Sequence, residues 1–295
     1  MDNVIECKNL THYYGSKLIF ENMSFNVRKG SIFGLLGKNG TGKTTTINIL
    51  NGFLQPRHGQ CLLFGEDSQN LTPRTKARIG FLMEGHIQYS FMDIYQIERF
   101  YARFFPNWKK EPYFELMSKL EISPKQKISR MSCGQRSQVA LGLILAQDPE
   151  LMILDDYSMG LDPGYRRLFI DYLSEYAKAE NKTIFVTSHI IQDLEVLIDE
   201  VMILGYRNIL LSMSFKEFLA QFRKYKFEVV NDKLKLPANE LIRNFELIKN
   251  HATIYSFYSQ VEIEKFLHSE QIEYNNFNEA PMTLEDAFIG ITGKY

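Results

Sequence analysis

Residues Gly37 to Thr44 read Gly-Lys-Asn-Gly-Thr-Gly-Lys-Thr, a G-x-x-x-x-G-K-T loop whose chemistry is the grip of a polyphosphate. Glycines at this spacing let successive backbone N–H groups turn toward an anion, and the helix that follows points its positive end at the same charge. Lys43 would reach the β- and γ-phosphates, and the Thr44 hydroxyl would ligate magnesium. The flanks agree: Ile32-Phe33-Gly34-Leu35-Leu36 is an apolar run of buried-strand type, and Thr45 to Leu50 continues as a helix. A Gly-rich turn that merely fits the pattern would need neither flank. Nucleotide contact is assigned to Gly37, Lys38, Asn39, Gly40, Thr41, Gly42, Lys43, Thr44 and Thr45.

Further chemistry lies downstream. Leu151-Met152-Ile153-Leu154 reads as a buried strand that delivers Asp155 at its C-terminal end, where a carboxylate can hold magnesium through water opposite Thr44. The alternative for a strand-end Asp alone is a simple loop cap, the less favoured reading. Met131-Ser132-Cys133-Gly134-Gln135 stands about twenty residues earlier and opens a helix-forming run through Ala146. By itself, Ser-x-Gly-Gln has a helix N-cap as its obvious reading. In this order the motifs resemble the ABC ATPase family, whose signature is Leu-Ser-Gly-Gly-Gln. Ser132, Gly134 and Gln135 match it, Met131 is a mild change, and Cys133 replaces a glycine. The resemblance implies that Ser132 and its helix N-terminus bind a γ-phosphate presented by a partner subunit. Gly160-Leu161-Asp162 matches the family's D-loop at the dimer seam, with Asp162 its acidic residue. His189, after the apolar run Thr183 to Thr187 and a serine, matches the switch histidine at the γ-phosphate. A lone histidine there would otherwise cap a helix or lie on the surface. Tyr14, in Tyr13-Tyr14-Gly15, matches the aromatic that stacks on adenine; otherwise it is a strand aromatic packed in the core. No Asn-Lys-x-Asp guanine-reading motif occurs, so ATP is favoured over GTP, with Mg2+ beside it.

Two positions depart from the family's pattern, and both touch catalysis. In the family the residue after the aspartate that Asp155 matches is normally Glu, which polarises the attacking water. Here it is Asp156, a carboxylate one methylene shorter. Tyr157 replaces the proline that usually follows. Glu84 falls where the family's Q-loop glutamine senses magnesium and the γ-phosphate and links to the transmembrane partner. A carboxylate there adds negative charge beside the metal, tightening its hold or supplementing Asp156 as a base, and it also occurs in bacitracin-type exporters. The resemblance therefore implies a working ATPase with Asp156, His189 and Glu84 as catalytic residues and Thr44, Asp155 and Glu84 around Mg2+. Asp156 and Glu84 would set its rate.

These residues need a scaffold, and 295 residues allow one large or two ordinary domains. Apolar (45%) and charged (23%) fractions are those of a soluble globular protein. A formal net charge of −1 argues against a nucleic-acid partner held by bulk electrostatics. Cys7, Cys61 and Cys133 are far apart in sequence and form no C-x-x-C pair, which suits a reducing compartment and offers no zinc site. Asp2, Glu6 and Lys8 interrupt the N-terminus against a signal peptide. No window nears the roughly 18 apolar residues of a membrane span, so a membrane process would need another chain.

Short alternating runs in residues 1–30 predict antiparallel strands, and Cys61-Leu62-Leu63-Phe64-Gly65 predicts another strand ending in a turn. Residues 91–122 carry aromatics at helical spacing, broken at Pro106 and able to restart near Pro112. Thr183 to Thr187 reads as a second parallel-type strand after a helix at about 163–180. The resemblance covers roughly residues 1–220. It implies an α/β P-loop ABC ATPase with a RecA-like core, an antiparallel β subdomain and a helical subdomain at about 86–145, all within residues 1–214. A small C-terminal α/β accessory domain would occupy 215–295, with strands at 226–230 and 253–257 and a helix at 262–269.

The close of the chain, Thr283 to Gly293, resembles single-domain ATPases of the ABC-2 exporter group, which includes drug, bacitracin and lantibiotic-immunity exporters. The implied partners are a polytopic membrane permease subunit and a second ATPase subunit, in a homodimer or a heterodimer. The implied location is cytoplasmic, peripheral on the inner face of the cell membrane. The aromatics of 86–120 offer a groove for a short helix of the permease, although ordinary subdomain core would use many of them. Soluble ABC ATPases of DNA repair need long coiled-coil insertions, and only about 85 residues separate Thr44 from Met131. Ribosome-associated ABC factors carry two phosphate loops. A degenerate, weakly hydrolysing ATP-binding regulator remains the alternative, motivated by Asp156 and Cys133.

Overall fold

Strand-forming alternation begins at the N-terminus. In β2 (Lys17–Arg28), buried Met23, Phe25 and Val27 alternate with exposed Ser24, Asn26 and Arg28. It pairs antiparallel with β1 (Asn3–Tyr14) through a turn at Gly15, whose φ is 60°. The computed structural model describes residues 2–82, 89–120, 122–123, 125–157, 161–188, 190–230 and 234–293. The next strand, β3 (Ile32–Gly37), is buried from Ile32 through Leu36, the pattern of a strand covered on both faces. It leads through the glycine loop into helix α1 (Lys43–Leu50), which starts two residues before the expected Thr45.

β4 (His58–Leu63) and β5 (Glu66–Asp67) complete an antiparallel sheet in the order β2-β1-β4-β5. In it Cys7 and Cys61 are cross-strand neighbours with their Sγ atoms 3.5 Å apart, both buried free thiols. Burial pushes the Cys7 thiol up, so it stays protonated. Sequence separation hid this pairing. A short helix, α2 (Pro73–Lys76), precedes β6 (Ile79–Leu82).

The helical subdomain follows as α3 (Ile94–Tyr101), α4 (Lys110–Ser118) and α5 (Cys133–Ala146). An Asp93–Gln96 capping box starts α3, and the helix has already ended when the chain reaches Pro106. Pro112 sits in the first turn of α4, where its missing N–H costs nothing. Buried Tyr113 donates its hydroxyl to the Ile94 carbonyl at 2.9 Å and packs against Gly142 of α5, where a Cβ would come within 2.9 Å of the ring.

β7 (Leu151–Leu154), α6 (Pro163–Ala179), β8 (Thr183–Thr187), α7 (Ile191–Glu195), β9 (Glu200–Leu204) and β10 (Ile209–Ser214) then close a six-stranded sheet in the order β10-β9-β3-β8-β7-β6. All its pairings except β10–β9 are parallel, so the C-terminal ends of β3, β8 and β7 lie side by side. A ligand binds in the crevice outside such ends. Phe25, Phe33 and Phe185 stack with centroids 5.6 to 6.2 Å apart and lock the antiparallel sheet onto this one.

The last segment holds α8 (Phe215–Gln221), β11 (Arg223–Val229), β12 (Asn244–Ile248), β13 (His251–Ser256), α9 (Gln260–Ser269), β14 (Tyr274–Ala280) and α10 (Leu284–Thr292). Its antiparallel sheet runs β12-β13-β11-β14. The sequence pointed to only two of these four strands; β12 and β14 are largely half-exposed and rich in Asn and Glu, so their apolar alternation is weak. Ile263 and Leu267 of α9 pack with Tyr225, Phe227 and Ile254 in a core of their own. In contrast, Leu284 and Ala287 of α10 join Phe218, Phe222 and Tyr255 in the core that also holds residues of the six-stranded sheet and α3 to α6. Gly290 permits that seat, since a Cβ there would meet the Tyr255 ring at 2.6 Å.

Candidate functional site

At the C-terminal ends of β3, β7 and β8 a cavity of about 360 Å³ is lined by the phosphate loop, the start of α1, Tyr14, Lys17, Ile19, Asp155, Asp156, Thr187 and Ser188. The loop's shape follows from its glycines. Gly40 and Gly42 have φ of 81° and 106°, the left-handed region that side chains disfavour. A Cβ on Gly42 would also meet Ile19 and Phe20 at 2.8 and 2.9 Å. Inside the loop, the Thr41 hydroxyl donates to the Lys38 carbonyl at 2.8 Å.

The Lys43 ammonium donates to the Gly37 carbonyl at 2.6 Å and the Lys38 carbonyl at 3.2 Å, spanning the mouth of the loop. Burial depresses the Lys43 pKa, while Asp155 and Asp156 pull it back up. Thr44 and Thr45 stand at the first turn of α1, and Thr45 donates its hydroxyl to the Tyr14 hydroxyl at 3.5 Å. Cation, hydroxyls and glycine backbone on one side and carboxylates on the other suit a polyphosphate and the charge that accompanies it.

One residue not singled out from sequence organises the acidic side. The Thr187 hydroxyl at the end of β8 donates to Asp155 Oδ1 at 2.9 Å and accepts the Asp156 N–H at 3.1 Å. The Asp155 N–H in turn donates to the Leu82 carbonyl at 2.9 Å. Both carboxylates are buried, and Asp156 has a φ of 43°, a conformation Asp tolerates better than most residues. A hydroxyl at the end of an otherwise apolar parallel strand was the available signal for Thr187.

Tyr14 is 48% exposed and lines the cavity. Beneath it the buried His12 ring lies edge-on, centroids 4.9 Å apart at 75°. Burial, with the positive charge of Arg57 added, lowers the His12 pKa from its ordinary 6.5. Below about pH 6.5 the unfolded chain therefore takes up a proton that the folded chain resists, and this contribution to stability is lost as acid is added. His12→Phe is expected to lose less melting temperature than the wild type between about pH 7.5 and about pH 5.5. Equal losses measured by differential scanning fluorimetry would remove His12 from this role.

The signature residues lie apart from this cavity's described lining. Ser132 caps α5: its hydroxyl accepts the Gln135 N–H at 3.2 Å, and its own N–H donates to Gln135 Oε1 at 3.0 Å. Gly134 is buried against Tyr165, where a Cβ would stand 2.5 Å from the ring. Asp162 caps α6, accepting from the N–H groups of Gly164 and Tyr165 at 2.9 and 3.1 Å. Gly37 and Lys38 line a neighbouring cavity on the far side of the loop. Glu84, Gly160 and His189 lie outside the described residues.

Residues 20–158 match the ABC transporter family. An ABC transporter ATP-binding protein of Methanocaldococcus jannaschii is 34% identical over 68% of this chain and 73% of its own length. The bacitracin transport ATP-binding protein BcrA of Bacillus licheniformis is 29% identical over 99% of this chain and 98% of its own. Among solved structures, an ATP-binding subunit of an ABC transporter superposes with a TM-score of 0.65 at 23% identity, covering 74% of this chain and 92% of that one. The dimeric, post-hydrolysis ATP-binding cassette holding ADP and Pi aligns with a TM-score of 0.60 at 18% identity, covering 71% of this chain and 98% of that one. The chain belongs to the ABC transporter ATP-binding proteins, and it is an ATPase with the α/β fold of that family.

Proposed function

We propose that this chain powers a membrane exporter: ATP draws two nucleotide-binding subunits together and hydrolysis lets them part. The observation that carries this reading is the split of the motifs. Lys43, Thr44, Asp155 and Asp156 line one cavity, while Ser132, Gly134 and Gln135 cap a helix apart from its described lining. A signature in that position serves the γ-phosphate of a second subunit, with Asp162 at the seam between them. Thr44, Asp155 and Glu84 would hold the Mg2+ that accompanies the nucleotide. Among the described residues no three His, Cys, Asp or Glu side chains gather into a metal site, and magnesium needs no such cage when phosphates complete its shell. Within the chain, Asp156 is the base that aligns the attacking water, His189 meets the γ-phosphate, and Tyr14 holds the adenine.

The export direction is supported by full-length similarity to bacitracin transport proteins and by a Nod factor export ATP-binding protein of Cupriavidus metallidurans, 26% identical over 100% of this chain and 99% of its own. No described helix is long and apolar enough to cross a membrane. The permease of this reading is a polytopic membrane chain, and the present chain sits peripherally on the inner face of the membrane. The exposed aromatics around α3 (Phe91 and Phe104 at 65%, Tyr95 at 47%) are its docking surface. Tagged protein expressed in its native cell is expected to co-purify with a polytopic membrane protein, and Phe91→Ser with Phe104→Ser to release it without lowering ATP turnover. Recovery of the wild type free of any membrane protein would refute the exporter role while leaving the ATPase intact.

A further inference from the structure

Helix α10 touches, at its two ends, the phosphate loop and α7, the helix that follows Ser188. At its C-terminal end the Lys38 ammonium donates to the Thr292 carbonyl at 3.1 Å. Lys38 is thus two-sided, because its own carbonyl accepts from Lys43 and from Thr41 within the phosphate loop. At the N-terminal end of α10, Gln192 donates to Glu285, and the Leu284 N–H donates to Glu195 Oε2 at 3.2 Å. Gln192 and Glu195 belong to α7, which follows directly on the segment containing Ser188. Between these attachments lies a cavity of about 630 Å³. Asn39 and Ser188 are walls of both this cavity and the nucleotide cavity.

The same helix is fixed to the C-terminal sheet. Lys224 pairs with Asp286 at 2.6 Å, Asn244 donates to the Ile289 carbonyl at 3.2 Å, and Gly290 lies against Tyr255. A cation at the C-terminal end of a helix is held by the peptide carbonyls and by the helix dipole together. The helix thus ties the C-terminal sheet to the phosphate loop through Lys38 and to α7 through Gln192 and Glu195.

We infer that α10 is a strap that sets the spacing of these two segments, and that Lys38, expected from the sequence to contact the nucleotide, is instead a positioning residue for hydrolysis that acts through the loop. This inference rests on the ATPase activity alone and not on the exporter reading. The strap adds order to the transition state more than to the bound ATP, so its loss lowers kcat and spares affinity.

The test measures steady-state ATP turnover and ATP affinity of the full-length chain in Lys38→Met, Lys38→Arg, Glu285→Ala and Lys38→Met with Glu285→Ala. Lys38→Met is expected to lower kcat about tenfold with an unchanged Kd for ATP, and Lys38→Arg, which keeps a donor of similar reach, to restore most of it. Glu285→Ala, at the opposite end of α10 from Thr292, is expected to lower kcat as well. If both residues act through one strap, the double variant falls less than the product of the single effects. A weakened Kd in Lys38→Met would make Lys38 a nucleotide ligand and overturn the inference. So would unchanged or raised kcat in the single variants, or fully multiplicative losses in the double.

Discussion

Replacing Lys43 by alanine is expected to weaken ATP binding on the order of a thousandfold and to abolish hydrolysis. The ammonium spans the loop mouth with two hydrogen bonds to the Gly37 and Lys38 carbonyls. On arrival of a triphosphate the same donors turn to phosphate oxygens, and bonds to charged groups contribute about 1.5–3 kcal/mol each. Two of them amount to about 3–6 kcal/mol, or two to four orders of magnitude in Kd. The loss should not be a folding defect. Burial already disfavours the Lys43 cation, so the nucleotide-free variant is expected to melt at or above the wild-type temperature. ATP with magnesium should then raise the melting temperature of the wild type and leave that of Lys43→Ala unmoved. An equal ligand-induced rise in both would show that Lys43 does not hold the phosphates.

Asp156→Asn is expected to lower turnover by about two to four orders of magnitude while leaving ATP affinity near the wild type. The substitution is a clean one. Asn accepts a φ of 43° as Asp does, and the backbone N–H that donates to Thr187 is retained. What disappears is the negative charge and the ability to take a proton from water. The neighbouring Asp155 keeps its bond from Thr187, so the acidic side of the cavity stays assembled. Asp156→Glu adds the methylene usual in the family and tests reach directly. If Asp156→Asn turns over ATP as fast as the wild type, another group is the base.

Much of the site was legible because its elements are local. The phosphate loop, its strand and its helix are contiguous, and their periodicity and glycines leave few alternatives. Asp155 and Asp156 were found at the end of an apolar run, and parallel pairing of β7 with β8 and of β8 with β3 brings them to the loop. The pairings themselves were not legible, since nothing in the sequence says which strand neighbours which. That is why Thr187, whose hydroxyl joins the Asp155 carboxylate to the Asp156 backbone N–H, and the Cys7–Cys61 contact emerged only from the folded chain. The C-terminal strands at 244–248 and 274–280 were missed because their faces are only half buried. The contact of Lys38 with Thr292 joins residues 254 positions apart, beyond the reach of any local pattern.

On the proposed function, this chain holds part of a two-subunit hydrolytic site whose base is Asp156. Sedimentation of the purified Asp156→Asn chain with ATP and magnesium tests that most directly. The prediction is a dimer that persists with ATP, forms neither with ADP nor in Asp156→Asn with Lys43→Ala, and is only transient in the wild type, which hydrolyses its ATP. An Asp156→Asn chain that binds ATP with wild-type affinity yet sediments as a monomer at every ATP concentration would contradict it.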